Sequence, residues 1–199
     1  MMPTLNLWPT LSLIAVVLSW LVFAAVFLIF ADKTKSPPEQ KRAPGSLAGV
    51  VLQGVGYGLV WGVQRPRFSP IIPLGVPGQI VLFAIISVLA IGSPLFAFRA
   101  RQTLGKQWSV TARLVEGHRL VTEGPYRIVR NPIYTGMFGM LLATGLALTH
   151  WIGLLFAIVV FAIGTIIRVR SEEKLLREAF GAEFDDYARR VPSVIPFLF

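Results

Sequence analysis

Residues 7–30 read LWPTLSLIAVVLSWLVFAAVFLIF, a run without a single Asp, Glu, Lys or Arg. A helix needs about 20 predominantly apolar residues to cross a hydrocarbon core, so this run predicts a transmembrane span. Its amino-terminal flank carries no Lys or Arg and no small-x-small site precedes Asp32, so it reads as a retained span and not a cleaved signal. Four further apolar stretches follow: Ser46–Val63, rich in glycine; Val76–Phe98, with Pro94 expected to kink its last turn; Ile133–Thr149; and Trp151–Ile167. Little more than His150 separates the last two, which predicts a tight antiparallel hairpin with His150 as a turn residue.

The composition agrees. Of 199 residues 54% are hydrophobic and 15% charged, and the mean hydropathy is +0.66, unlike a soluble domain. Without cysteine, and with His118 and His150 as the two histidines, neither disulfides nor a protein metal cage is expected. The net charge of +9 comes without a nucleic-acid recognition motif. Basic residues interleaved with apolar runs point instead to membrane lipids as partners.

Three polar segments lie between and after the spans. The linker Asp32–Gly45 carries Lys33, Lys35, Lys41 and Arg42 among Pro37, Pro38 and Pro44; Arg99–Arg130 is a longer polar segment; the tail starts at Arg168. In that tail Leu176, Phe180, Phe184 and Tyr187 form an apolar stripe, expected to lie along the membrane surface or to cover a site. Five spans put all three segments on one side, with 17 of the 19 Lys and Arg residues, and leave Arg65 and Arg67 opposite. By the positive-inside rule the amino terminus is external and the carboxyl terminus cytoplasmic. The expected fold is all-α, a polytopic bundle of about five transmembrane helices plus a cytoplasmic amphipathic carboxyl-terminal helix. It divides into a three-span region, 1–98, and a region carrying the function, 99–199.

No span contains an ionisable acid or base, which argues against a channel or proton relay and puts chemistry at the cytoplasmic interface. The hairpin brings residues 99–134 and 168–196 together there. Gly124-Pro125-Tyr126-Arg127 and Arg130-Asn131-Pro132-Ile133-Tyr134-Thr135-Gly136 stand at the mouth of the fourth span. Pro132 suits a first helical turn, whose free N–H groups favour an anion; a plain helix cap with Arg130 snorkelling to headgroups accounts for the same residues. Arg168 and Glu172 share a helix face at i and i+4, where the plain reading is a salt bridge of about 0.2–0.5 kcal/mol. Gly54-Val55-Gly56-Tyr57-Gly58 lacks the strand and acidic residue of a nucleotide loop and reads as a helix-packing face through Gly54 and Gly58. The tryptophans, Trp20 among them, read mostly as interfacial anchors.

Residues 104–199 resemble the isoprenylcysteine carboxyl methyltransferases and their bacterial relatives, with looser similarity to phospholipid N-methyltransferases. The resemblance rests on Leu104-Gly105, Trp108, the run Gly117 to Arg127, the run Arg130 to Gly136, Glu172-Glu173, Phe180-Gly181, Tyr187, Arg190-Val191-Pro192 and Ile195-Pro196. It implies an S-adenosyl-L-methionine pocket beside the last two spans, under the carboxyl-terminal helix, and a lipophilic or lipid-linked acceptor arriving from the bilayer. It sets His118, Arg119, Leu120, Val121, Tyr126, Asn131, Pro132, Ile133, Tyr134 and Glu172 around the cofactor. Arg168 and Arg130 become the candidate catalytic residues, Arg168 facing the acceptor. Asn131 stands where the family has His, and an amide does not titrate near neutrality.

These residue types suit the ligand. Glu172 can accept from an ammonium; the amino end of span four with Asn131 can donate to a carboxylate. Tyr126, Tyr134 and Leu120 can wall an adenine. A carboxylate acceptor needs no general base, only desolvation and alignment. Two other function classes fit the same charge pattern: a nicotinamide-dependent membrane reductase of sterol-reductase type, and a non-enzymatic scaffold or lipid-binding protein. The charge division predicts that a reporter fused after Phe199 is cytoplasmic and one inserted at Thr149-His150 external; protease accessibility finding both on one side excludes five spans.

Overall fold

The computed structural model describes residues 7–29, 38–43, 45–66 and 69–196. Lys33, Lys35, Pro37, Pro44 and Arg67 lie outside the described residues. Six α-helices and one small ribbon are present among those described: α1 (Leu7–Ile29), β1 (Glu39–Arg42), α2 (Ser46–Gly62), α3 (Val76–Leu104), β2 (Arg113–Val115), α4 (Pro132–Leu148), α5 (Trp151–Phe180) and α6 (Ala182–Arg190). Helices α1, α3 and α5 are long and apolar enough to cross a membrane, and α2 and α4 are shorter apolar helices. At 1.5 Å per residue the 17 residues of each shorter helix reach about 25 Å, near the lower limit for a span. Exposed faces of the long helices are apolar, Val88 being 71% exposed with Val81, Ile91, Phe156 and Val159 also open, as lipid contact demands. The chain is an integral membrane protein.

Lipid tails are as apolar as Leu, so helices associate in a bilayer through close packing and hydrogen bonds. Here small residues decide the pairs. On α2 the buried face is Ser46, Gly49, Gln53, Gly56 and Val60, and it packs along α5. A Cβ on Gly164 of α5 would lie 2.8 Å from the Gly49 carbonyl and 2.9 Å from the Gln53 nitrogen. The face expected from Gly54 and Gly58 is not the one used: both are exposed, and none of the described residues lies within 4 Å of a Cβ at either. Gly56, by contrast, is 3.0 Å from Phe161 by the same measure. Helix α4 pairs with α3, where a Cβ on Gly136 would stand 2.8 Å from the Ser93 carbonyl. Adjacent spans four and five therefore meet at a short turn but pack mainly against α3 and α2 respectively.

The turn itself is as expected. His150 caps α5, its Nδ1 accepting from the Ile152 N–H at 3.4 Å, and its own N–H donates to the Val63 carbonyl. Arg65 donates to the carbonyls of Leu146, Ala147 and Thr149, satisfying the open carboxyl end of α4. Trp20 is no interfacial anchor: its Nε1 donates to Thr144 Oγ1 at 3.0 Å inside the bundle. The opposite end gathers the polar segments, where β1 and β2 pair antiparallel with Lys41 opposite Leu114. Strands of four and three residues carry too little alternation to be seen in sequence.

Two boundaries move. Helix α3 runs ten residues past Pro94 to Leu104, beyond the expected end at Phe98, because Ala97, Ala100 and Arg101 are buried and helix-compatible. Helix α5 extends through Phe180, about 45 Å in all, so its last turns stand clear of a core about 30 Å thick. Gly181 at φ 51° then turns the chain into α6, a conformation that costs glycine nothing. The apolar stripe survives this break: Phe184, Tyr187 and Val191 are buried together with Leu120, Leu176 and Phe180 against them. Gly164→Val is expected to destabilise the protein by about 1–3 kcal/mol through overpacking, whereas Gly58→Ala changes stability by less than about 0.5 kcal/mol, both measured by thermal unfolding in detergent.

Candidate active site

Where α5 leaves the spans, Arg168 is only 7% exposed. A cation held out of water must be met by acceptors, and four segments supply them. Its Nη1 donates to Gln53 Oε1 of α2 at 3.2 Å, and its Nη2 to the Val110 carbonyl at 2.6 Å. Glu172 Oε1 is 3.5 Å from Nη2, and the Tyr134 ring of α4 lies 4.8 Å from the guanidinium carbon. The intrahelical bridge to Glu172 therefore exists, but it is longer than a charge-assisted hydrogen bond. Gln53 and Val110 hold the guanidinium more tightly. Arg168 Nε is buried and meets no acceptor among the described residues. Glu172 also accepts from the Tyr134 hydroxyl, again on Oε1.

Arg130 stands a short distance along the same rim with different partners. Its Nε donates to Glu173 Oε1 at 2.9 Å, and its Nη1 to the carbonyls of Ala188 and Val191. The pair is 13% and 16% exposed, and it holds the segment after α6 against the start of α4. The main-chain N–H groups of Arg130 and Asn131 donate to the Pro192 and Ser193 carbonyls at 2.8 and 2.9 Å. Asn131 makes no side-chain cap on α4; its Nδ2 donates to the Ser193 carbonyl at 3.2 Å. Thr135 Oγ1 donates to the Val194 carbonyl. The mouth of α4, expected to be open to an anion, is thus strapped by residues 192–194.

Between these two clusters lies a cavity of about 500 Å³. His118, Arg119, Leu120, Val121, Tyr126, Asn131, Ile133, Tyr134 and Glu172 all line it, with Arg130 and Arg168. Pro132 does not: it is buried as the first residue of α4. Burial lowers the His118 pKa below its ordinary value, leaving the imidazole neutral at pH 7, and its Nδ1 is buried without a partner among the described residues. The Arg119 guanidinium pairs with exposed Glu123 at 3.1 Å. Tyr187 of α6 donates to the Tyr126 carbonyl at 2.6 Å and ties the carboxyl-terminal helix over the Gly124–Arg127 turn.

Part of the wall comes from outside 99–199. Phe23 of α1 and Val50, Gln53, Gly54 and Tyr57 of α2 line the cavity. Gln53 carries no charge and so leaves no mark in the pattern of ionisable groups along the spans. A lone amide in a glycine-rich span is itself a cue for interhelical hydrogen bonding.

The family model for phospholipid methyltransferases matches residues 81–183. Protein-S-isoprenylcysteine O-methyltransferase B of Arabidopsis thaliana is 37% identical over 99 residues, 48% of this chain and 50% of that protein. Protein-S-isoprenylcysteine O-methyltransferase of Schizosaccharomyces pombe is 36% identical over 90 residues, 45% of this chain and 38% of that protein. The cobalt-zinc-cadmium resistance protein CzcN of Cupriavidus metallidurans is 36% identical over 104 residues, 48% and 44% of the two chains. The chain spans about half the length, or less, of these relatives. The matched stretch takes in α4, most of α3 and all of α5, the helices that carry Tyr134, Arg168 and Glu172. With just over half of its residues matched in this way, the chain belongs to the phospholipid methyltransferase family and is similar to the protein-S-isoprenylcysteine O-methyltransferases.

Proposed function

We propose that this protein is a membrane methyltransferase that takes its methyl group from S-adenosylmethionine and passes it to a lipophilic acceptor at the cytoplasmic face. One observation carries the reading: a single cavity joins the Arg168–Glu172–Tyr134 cluster to apolar walls drawn from within the spans, Phe23, Val50, Gly54, Tyr57 and Met137. Its volume of about 500 Å³ falls among those of small-molecule sites, about 300–1,000 Å³.

The residues present fit the cofactor. Among the described residues Glu172 meets Tyr134 and Arg168 through Oε1, which leaves Oε2 for an ammonium. Arg119, whose partner Glu123 is solvent-exposed and weakly held, is the cation for the carboxylate; Asn131 gives its amide to the strap. Leu120, Val121 and Tyr126 offer the adenine an apolar wall, and the buried Nδ1 of neutral His118 gains a polar partner. When bound, the cofactor supplies an electrophilic methyl group on a sulfonium. Arg168 orients the charged head of the acceptor and offsets its desolvation. An acceptor carboxylate is already ionised at pH 7, so no side chain needs to remove a proton. Arg130 acts as a positioning residue, holding the 192–194 strap and α6 as a water-excluding cover.

The relatives' names make an S-isoprenylcysteine the first acceptor to assay. Calorimetry should detect S-adenosylhomocysteine binding and none by NADPH; the reverse overturns the reading. Glu172→Gln is expected to weaken S-adenosylhomocysteine binding by about 1.5–3 kcal/mol, and unchanged affinity in a folded variant removes Glu172 from the cofactor site. Arg168→Lys is expected to bind S-adenosylhomocysteine nearly as the parent does while methyl transfer drops about a hundredfold, or about 3 kcal/mol, because a point charge does not reproduce a planar fork. Full turnover by the Lys variant excludes that role.

A further inference from the structure

Helix α2 lies outside the residues matched by the family model, yet it touches Arg168 more intimately than α4 does. One turn of α2 meets both the stem and the head of the side chain. The stem crosses Gly49, where an added Cβ would collide with Arg168 Cγ and lie 3.2 Å from the Arg168 nitrogen. The head meets Gln53, four residues on, whose Oε1 accepts from Nη1 at 3.2 Å.

Gln53 is 2% exposed, and its own orientation is fixed. Its Nε2 donates to Thr165 Oγ1 of α5 at 2.9 Å, so its oxygen faces the guanidinium, a group that can only donate. An amide also differs from a carboxylate in what it leaves behind. It holds the guanidinium plane without cancelling its charge, and Glu172 is 3.5 Å away. With Nη1 and Nη2 both engaged, Nε remains as a buried donor with no acceptor among the described residues, in a residue that lines the cavity.

We infer that Gln53, seated beside Gly49, is a positioning residue: it aims the Arg168 guanidinium, whose charge the neutral amide does not match, so that its donor edge meets the anionic head of the acceptor. This rests on the proposed methyltransferase reading and adds α2 to the determinants of acceptor choice. A merely structural Gln53, serving as a hydrogen bond between α2 and α5, would affect stability alone.

The test compares binding of a prenyl thioether bearing a free carboxylate with binding of its methyl ester, by calorimetry on the full-length protein in detergent. The parent should prefer the acid by at least about tenfold. In Q53L that preference should fall below about threefold while S-adenosylhomocysteine affinity stays within about twofold. Q53E, nearly isosteric and able to keep the hydrogen bond, guards against a misfolded Q53L; its carboxylate neutralises Arg168, so it too should lose the acid preference. Either folded variant keeping the parental acid-to-ester ratio overturns the role of Gln53 while leaving the methyltransferase reading intact. A parent that binds S-adenosylhomocysteine but does not distinguish acid from ester overturns the inference together with an anionic acceptor. A parent that binds neither ligand overturns the reading on which both rest.

Discussion

A guanidinium withdrawn from water where α5 emerges from the bundle is the constraint that organises this protein. Its charge cannot be left bare, and α5 by itself offers only Glu172, one turn away at 3.5 Å. The remaining contacts come from α2 through Gln53, from the 105–112 stretch through the Val110 carbonyl, and from α4 through the Tyr134 ring. Satisfying one side chain therefore fixes the relative positions of three helices and a loop. The cavity is the space left between them.

Close helix approach makes that satisfaction possible. Gly49 and Gly164 let α2 and α5 come near enough for Gln53 to reach both Thr165 and Arg168. In a bilayer no hydrophobic force draws helices together, so small residues and interhelical hydrogen bonds have to decide the pairing. The same principle joins α4 to α3 through Gly136 and Ser93. Together the two pairings place Tyr134 and Arg168 across from one another.

The second basic residue of the rim works differently. Arg130 joins Glu173 to the carbonyls of Ala188 and Val191, and Asn131 and Thr135 extend the attachment to Ser193 and Val194. This strap closes the mouth of α4 and seats α6 with Phe184 and Tyr187 inward. An amide at position 131 suits such a place, because it donates to a carbonyl at any pH near neutrality.

Much of this was legible in the sequence, because hydropathy, charge and motif spacing are properties of short stretches. The apolar runs marked all five helices, with α3 and α5 running on past the ends of theirs, and of the ten candidates named from the run Gly117 to Gly136 and Glu172, nine line the cavity. Pro132, named with them for its motif, begins α4 and does not line the cavity. What the sequence could not decide was partnership. Whether α2 turns Gly54 and Gly58 or Gly49 and Gly56 toward α5 depends on which face α5 presents. That in turn depends on where Arg168, more than a hundred residues away, finds its acceptors. The part played by Gln53, the use of Arg130 as a clamp and the pairing of Glu39–Arg42 with Arg113–Val115 belong to the same class. Each is a contact between segments distant in sequence, chosen by close packing and by the demand that buried polar groups be met, and neither condition exists until the helices are side by side.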